Sequence, residues 1–167
     1  MITTQTKLNA VIGFPLAHSL SPAFHNEEYV KRGHDAVLLA FENEDLEVLV
    51  PALRTLNVGL TAVTLPFKES ILPFMNEVDP RAKRLQSVNT VLNINGNLKG
   101  FNTDYIGIAK ALEGVELAGK NVLLLGAGGV AKPVAAFMND SGAELLSMNR
   151  NRERADDGEP GVGAGLA

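Results

Sequence analysis

The 167-residue sequence contains no cysteine. That single absence removes disulfides, thiolate metal sites and a cysteine nucleophile together. A basic run is missing too: net charge is −4, with 15 basic and 19 acidic residues interspersed, so neither a nucleic-acid backbone nor an anionic membrane finds a stripe to bind. No apolar stretch reaches the length of a membrane span, and Met1 to Lys7 lacks the charged-then-apolar layout of a signal peptide. The expected location is cytoplasmic and the expected partner a small molecule. What is present, 46% hydrophobic and 20% charged residues, suits a folded domain with a real core.

Strand and helix signals alternate along the chain. Leu8 to Gly13 reads as a buried strand closed by the turn signal Gly13-Phe-Pro15. Ser21 reads as an N-cap with Pro22 at the first helical position, and that helix should run to about Arg32. Ala36 to Phe41 is a second strand, followed by Leu46, Leu49, Val50, Leu53 and Leu56 on one helical face. Leu60 to Leu65 is a third strand that Pro66 ends, and Phe67 to Met75 reads as one helix. Such alternation favours a parallel sheet. Asn95-Gly96-Asn97 between two apolar runs signals a hairpin, which makes the sheet mixed. Asn102-Thr103-Asp104 offers caps for a helix to about Glu113, and Gly114 to Lys120 is the expected linker.

Beyond it, Asn121 to Leu125 reads as a fully buried strand, Gly126 to Ala131 as a turn into a helix ending near Asp140, and Ala143 to Met148 as the next strand. This is the opening unit of a Rossmann domain. Gly126 would make the tight turn, Gly128 would let the backbone approach a pyrophosphate, and Ala131 would allow close helix packing; Pro133 is expected in the first helical turn or just past it. About twenty residues on, where an NAD-preferring fold places an acid, stands Asn149-Arg150, and a cation there suits the 2′-phosphate of NADP(H). After Arg154 neither period nor helix-forming run is left, so residues 155–167 read as a disordered tail.

Lys68 and Asp104 each stand just past a predicted strand, where open α/β sheets bind ligands. Either alone reads more readily as a surface charge. Ser19 and Ser21 precede a helix start, so two hydroxyls and a positive helix end could receive a carboxylate, although Ser21 could simply cap. His18, His25 and His34 are dispersed without acidic company, and no metal site is expected.

In order, spacing and residue type, five segments resemble the shikimate dehydrogenase family over about Leu8 to Arg154. They are Gly13-Phe-Pro-Leu-Ala-His-Ser-Leu-Ser-Pro22, Ala62-Val-Thr-Leu-Pro-Phe-Lys68, Ser87-Val-Asn-Thr90, Gly100-Phe-Asn-Thr-Asp104 and Gly126-Ala-Gly-Gly129. The resemblance implies an α/β fold: a mixed, mainly parallel three-layer substrate domain over residues 1–114, then an incomplete Rossmann NADP-binding domain over 115–154. It implies reversible NADPH-dependent reduction of 3-dehydroshikimate to shikimate, with Lys68 moving the proton and Asp104 orienting it. Ser19, Ser21, Thr64, Lys68, Asn89 and Asp104 would hold the substrate, and Gly126, Gly128, Gly129, Val130, Asn149, Arg150 and Arg154 the NADP(H). His18, His25 and Asn26 would be supports. Two departures stand out: Ala62 occupies a position usually held by Asn, and the second half of the nucleotide domain, with its late glutamine, is not in the sequence. A quinate/shikimate dehydrogenase, a non-catalytic remnant with a partial pocket, and a homodimer that hides an exposed sheet face are the alternatives.

Overall fold

The computed structural model describes residues 2–149. They form two compact units that divide between Asn102 and Thr103. That division assigns the helix after Asn102 to the second unit, ahead of the Gly114 to Lys120 stretch expected as the linker.

The first unit is a six-stranded sheet built from β1 (Lys7–Gly13), β2 (Ala36–Glu42), β3 (Leu60–Val63), β4 (Glu77–Val78), β5 (Thr90–Ile94) and β6 (Asn97–Phe101). Its order is β2-β1-β3-β5-β6-β4. β1 pairs in parallel with β2 and β3, whereas β5 runs antiparallel to both β3 and β6. The mixed sheet expected from the hairpin is therefore present. In the register Ile94 faces Asn97, and Asn95 and Gly96 have φ of 54° and 85°, the two left-handed positions of a tight primed turn.

β1 is covered on both faces, and alternation splits its side chains between two cores. Ala10 and Ile12 join Leu46, Leu49, Val50 and Leu53 of α2 (Leu46–Thr55), with Val58, Val63, Phe67, Ile71, Val88, Val91 and Leu98. Val11 joins Leu16 and Leu38 in a smaller cluster, against which Tyr29 of α1 (Ser21–Lys31) and Ala62 pack. Ala62, the departure from the family pattern, thus serves as a packing residue. α2 starts as its sequence suggests, with the Asp45 carboxylate accepting the Glu47 N–H at 2.8 Å. Pro51 is tolerated inside it.

Three expectations are corrected. Ser21 is not the N-cap of α1: Leu20 holds that position without a side-chain bond, and Ser21 and Pro22 open the helix proper. The single helix over Phe67 to Met75 is two pieces, α3 (Phe67–Ser70) and a 3₁₀ turn (Leu72–Phe74), because Pro73 cannot continue an α-helical ladder. Behind them lie β4 and α4 (Pro80–Arg84), which the sequence reading lacked.

β2 is an edge strand with the apolar sequence Ala-Val-Leu-Leu-Ala-Phe-Glu, a pattern that invites pairing with another chain. Asn26 of α1 blocks it. Its amide donates to the Leu38 C=O at 2.9 Å and accepts the Leu38 N–H at 2.8 Å, as a neighbouring strand would. Asn26→Ala removes both bonds at once and should destabilise the fold by about 1–3 kcal/mol, the cost of orphaning part-buried backbone groups. Urea denaturation checks this; an unchanged midpoint would mean that water replaces the amide without loss.

The second unit contains α5 (Asp104–Ala111), β7 (Asn121–Leu125), α6 (Ala131–Asp140) and β8 (Glu144–Met148). β7 and β8 pair in parallel, with Leu123 opposite Leu146 and Leu125 opposite Met148. α5 meets α6 through an edge-on Tyr105–Phe137 contact at 5.6 Å and a Tyr105 hydroxyl bond to Asp140 at 2.7 Å. β7 is not fully buried as its apolar run suggested. Leu123, Leu125, Leu146 and Met148 are 56%, 71%, 44% and 51% exposed, because among the described residues this face of the two-stranded ladder has no helix over it.

Candidate active site

Strand direction brings the expected residues of the first unit to one end of its sheet. The carboxyl ends of β1, β2, β3 and β6 lie there, at Gly13, Glu42, Val63 and Phe101, together with the amino end of β5 at Thr90. Carboxyl ends of parallel strands are where open α/β sheets hold ligands. Ser19 and Ser21 follow β1, Thr64 follows β3, Lys68 lies on α3, and Asn89 immediately precedes β5. All five side chains are partly exposed, which leaves them accessible to a ligand while their backbones are fixed.

The fixing is dense. The Thr64 N–H donates to Ile12 at 3.0 Å, Val63 to Asn89 at 2.8 Å, Asn89 to Phe101 at 3.0 Å, and Val88 to the Lys68 carbonyl at 2.7 Å. Lys68 is thereby tied by its own main chain to the segment that carries Asn89. The Thr90 hydroxyl donates to the Asn89 side-chain oxygen at 2.9 Å and sets the orientation of that amide. Asn102, buried, donates to the Ser87 carbonyl at 3.0 Å and fixes the exit of β6. Phe14 donates to Leu65 at 2.9 Å, binding the loop after β1 to the loop after β3. Where these loops meet stands Gly13; a methyl group there would lie 2.5 Å from the Thr64 methyl and 2.9 Å from the Leu65 carbonyl oxygen.

The serines are arranged differently from the sequence expectation. The Ser19 hydroxyl, rather than Ser21, reaches a backbone N–H at the start of α1, accepting from Ser21 at 3.4 Å. Both hydroxyls therefore sit at the amino end of an eleven-residue helix, whose partial positive charge favours an anion. His25 meets Phe24 edge-on at 5.6 Å and Tyr29 at a tilt at 6.0 Å, as an aromatic support.

In the second unit Asp104 is the first residue of α5. Gly126 has φ of 106°, a conformation that side-chain-bearing residues rarely adopt, and its N–H donates to Met148 at 2.8 Å. A methyl group built at Gly128 would meet nothing within 4 Å, so the backbone there lies open to a bulky group. α6 begins at Ala131 with Val130 as N-cap, and Pro133 falls in its first turn, where it breaks no helical bond. Tight turn, open backbone and helix start together fit a dinucleotide pyrophosphate. Asn149 follows β8 directly; Arg150 and Arg154 lie outside the described residues.

Residues 11–91 match the family model described as shikimate dehydrogenase substrate binding domain. The chain is 43% identical over 159 residues to a shikimate dehydrogenase (NADP(+)) of Aquifex aeolicus, covering 93% of this chain and 59% of that one. A crystal structure of the Aquifex aeolicus enzyme superimposes with a TM-score of 0.88 at 42% identity, over 93% of this chain and 60% of the other. The Thermus thermophilus shikimate 5-dehydrogenase, solved in complex with NADP(H) and shikimate, gives 0.78 at 39% identity over 89% and 58%. The chain thus spans somewhat more than half the length of the relatives it matches.

Proposed function

We propose that the chain, whose residues 11–91 match the shikimate dehydrogenase substrate binding domain, belongs to that family, binds shikimate and 3-dehydroshikimate and serves their NADP(H)-dependent interconversion. The observation that carries this reading is the convergence of Ser19, Ser21, Thr64, Lys68 and Asn89 at one end of the first sheet. The two serine hydroxyls and the amino end of α1 receive the substrate carboxylate, while Thr64 and Asn89 hydrogen-bond the ring hydroxyls.

Lys68 donates the proton that the new hydroxyl oxygen needs on reduction and takes it back on oxidation; Asp104 orients it. NADPH, when bound, supplies the hydride. Gly126, Gly128, Gly129 and Val130 address its pyrophosphate, and Asn149, Arg150 and Arg154 its adenosine end, where a cation suits the 2′-phosphate. A quinate/shikimate dehydrogenase with freer use of NAD is disfavoured by Arg150.

One observation favours a second reading, a substrate-binding chain without turnover. The described part of the second sheet has two strands and an apolar face open to solvent, so the described residues supply one wall of a nucleotide cleft. A homodimer would cover that face. Calorimetric titration with shikimate tests the shared core of both readings: saturable binding is expected with the 167-residue chain, and no binding would refute both. NADPH-dependent reduction of 3-dehydroshikimate by the same preparation separates them, and sedimentation as a single monomeric species would remove the dimer.

A further inference from the structure

Glu42 belongs to none of the motifs above, yet it ends β2 at the edge of the sheet where the substrate residues gather. Its carboxylate accepts the N–H of Leu16, in the middle of the loop between β1 and α1. The Leu16 side chain is buried beside Val11 and Leu38, and its carbonyl accepts the Ser19 N–H at 2.8 Å. Ser19 in turn accepts the Ser21 N–H through its hydroxyl. A continuous chain of bonds therefore runs from Glu42 through Leu16 to both serines.

We propose that Glu42 is a positioning residue that holds the serine loop in the geometry needed to receive an anionic substrate. This deepens the reading given above and rests on it for the role of the two serines. Another tie on this loop, Phe14 to Leu65, is main chain to main chain; Glu42 is a side-chain anchor reaching in from a different strand. Its chemistry also sets a cost. A full negative charge at the end of the sheet that takes a carboxylate works against binding, so its value lies in accepting the Leu16 bond.

Glu42→Gln and Glu42→Ala separate these effects, since glutamine keeps an acceptor oxygen and loses the charge. In the full chain, Glu42→Ala should weaken shikimate binding about tenfold, while Glu42→Gln should stay within about threefold of the parent, because the lost contact is one charge-assisted hydrogen bond. Amide exchange followed by NMR should speed up more at Leu16 and Ser19 than at Ala10 to Ile12, in the alanine variant alone. A merely structural role would speed exchange at all of these positions by one factor, in step with the fall in the urea midpoint. Unaltered exchange at Leu16 and Ser19 in Glu42→Ala overturns the proposal, as does a shikimate affinity equal to the parent's. Should the parent chain fail to bind shikimate, the functional reading falls, and the exchange data still decide whether Glu42 anchors the loop.

Discussion

Replacing Lys68 with alanine is expected to lower turnover by about 10²–10⁴, the usual contribution of a positioned proton donor, while the affinity for shikimate changes by less than about tenfold. The measurement needs a complete nucleotide cleft, so it belongs in this chain extended with the remaining length of the Aquifex aeolicus relative. The split between rate and affinity follows from the geometry. The Lys68 main chain is held by Val88 whatever its side chain, and Ser19, Ser21, Thr64 and Asn89 keep their own anchors. Removing the ammonium therefore takes away the proton without dismantling the pocket. Loss of affinity and rate in equal proportion would instead make Lys68 a binding residue, and unchanged turnover would remove it from the chemistry altogether.

The parts of this fold legible in the sequence are those whose cause is local. Asn95-Gly96 supplies the two positive-φ positions of a tight hairpin, and the Leu46, Leu49, Val50, Leu53 spacing places α2 on the sheet. The break between Ser70 and Leu72 had an equally local signal in Pro73, but Pro51 shows why proline alone does not decide. Within α2 the Asp45 cap and four buried side chains sustain the helix across it, whereas α3 has no side-chain cap and, with Ile71 after it, adds two buried side chains to the core. α4 was also readable, since Asp79 caps the Arg81 N–H and Pro80 opens the helix; its five residues are too few to show periodicity. β4, two residues long, has no local cause at all and exists because Glu77 and Val78 lie alongside Lys99 and Gly100.

The site divides in the same way. Thr64, Lys68 and Asn89 are marked by their places at strand ends, while the exchange of roles between Ser19 and Ser21 depends on where the chain turns after Leu20. Exposure of Leu123 and Leu125 was hidden for a related reason. Burial needs an element on the other side, and a run of leucines carries no information about whether one is there. The Leu16 bond to Glu42 joins positions 26 residues apart and leaves no local pattern.

Two glycines, Gly13 at the end of β1 and Gly128 in the turn after β7, should respond in opposite ways to the same substitution. Gly13→Ala places a methyl 2.5 Å from the Thr64 side chain, 2.8 Å from Leu16 and 2.9 Å from the Leu65 carbonyl oxygen. The first two neighbours could shift; the carbonyl cannot move without displacing the loop that leads to Lys68. Overpacking of this kind costs about 1–3 kcal/mol in stability, and relief by loop displacement should weaken shikimate binding more than about tenfold, since the β1 and β3 loops are both affected. At Gly128 the added methyl meets nothing within 4 Å, so the alanine variant should keep its stability within about 0.5 kcal/mol and its shikimate affinity unchanged. What it should lose is NADPH affinity, because the methyl occupies the space through which a pyrophosphate approaches the backbone. Denaturant titration with shikimate and NADPH binding measured on both variants checks the contrast. If Gly128→Ala binds NADPH as well as the extended parent does, the Gly126 turn is an ordinary strand–helix connection and the nucleotide site lies elsewhere.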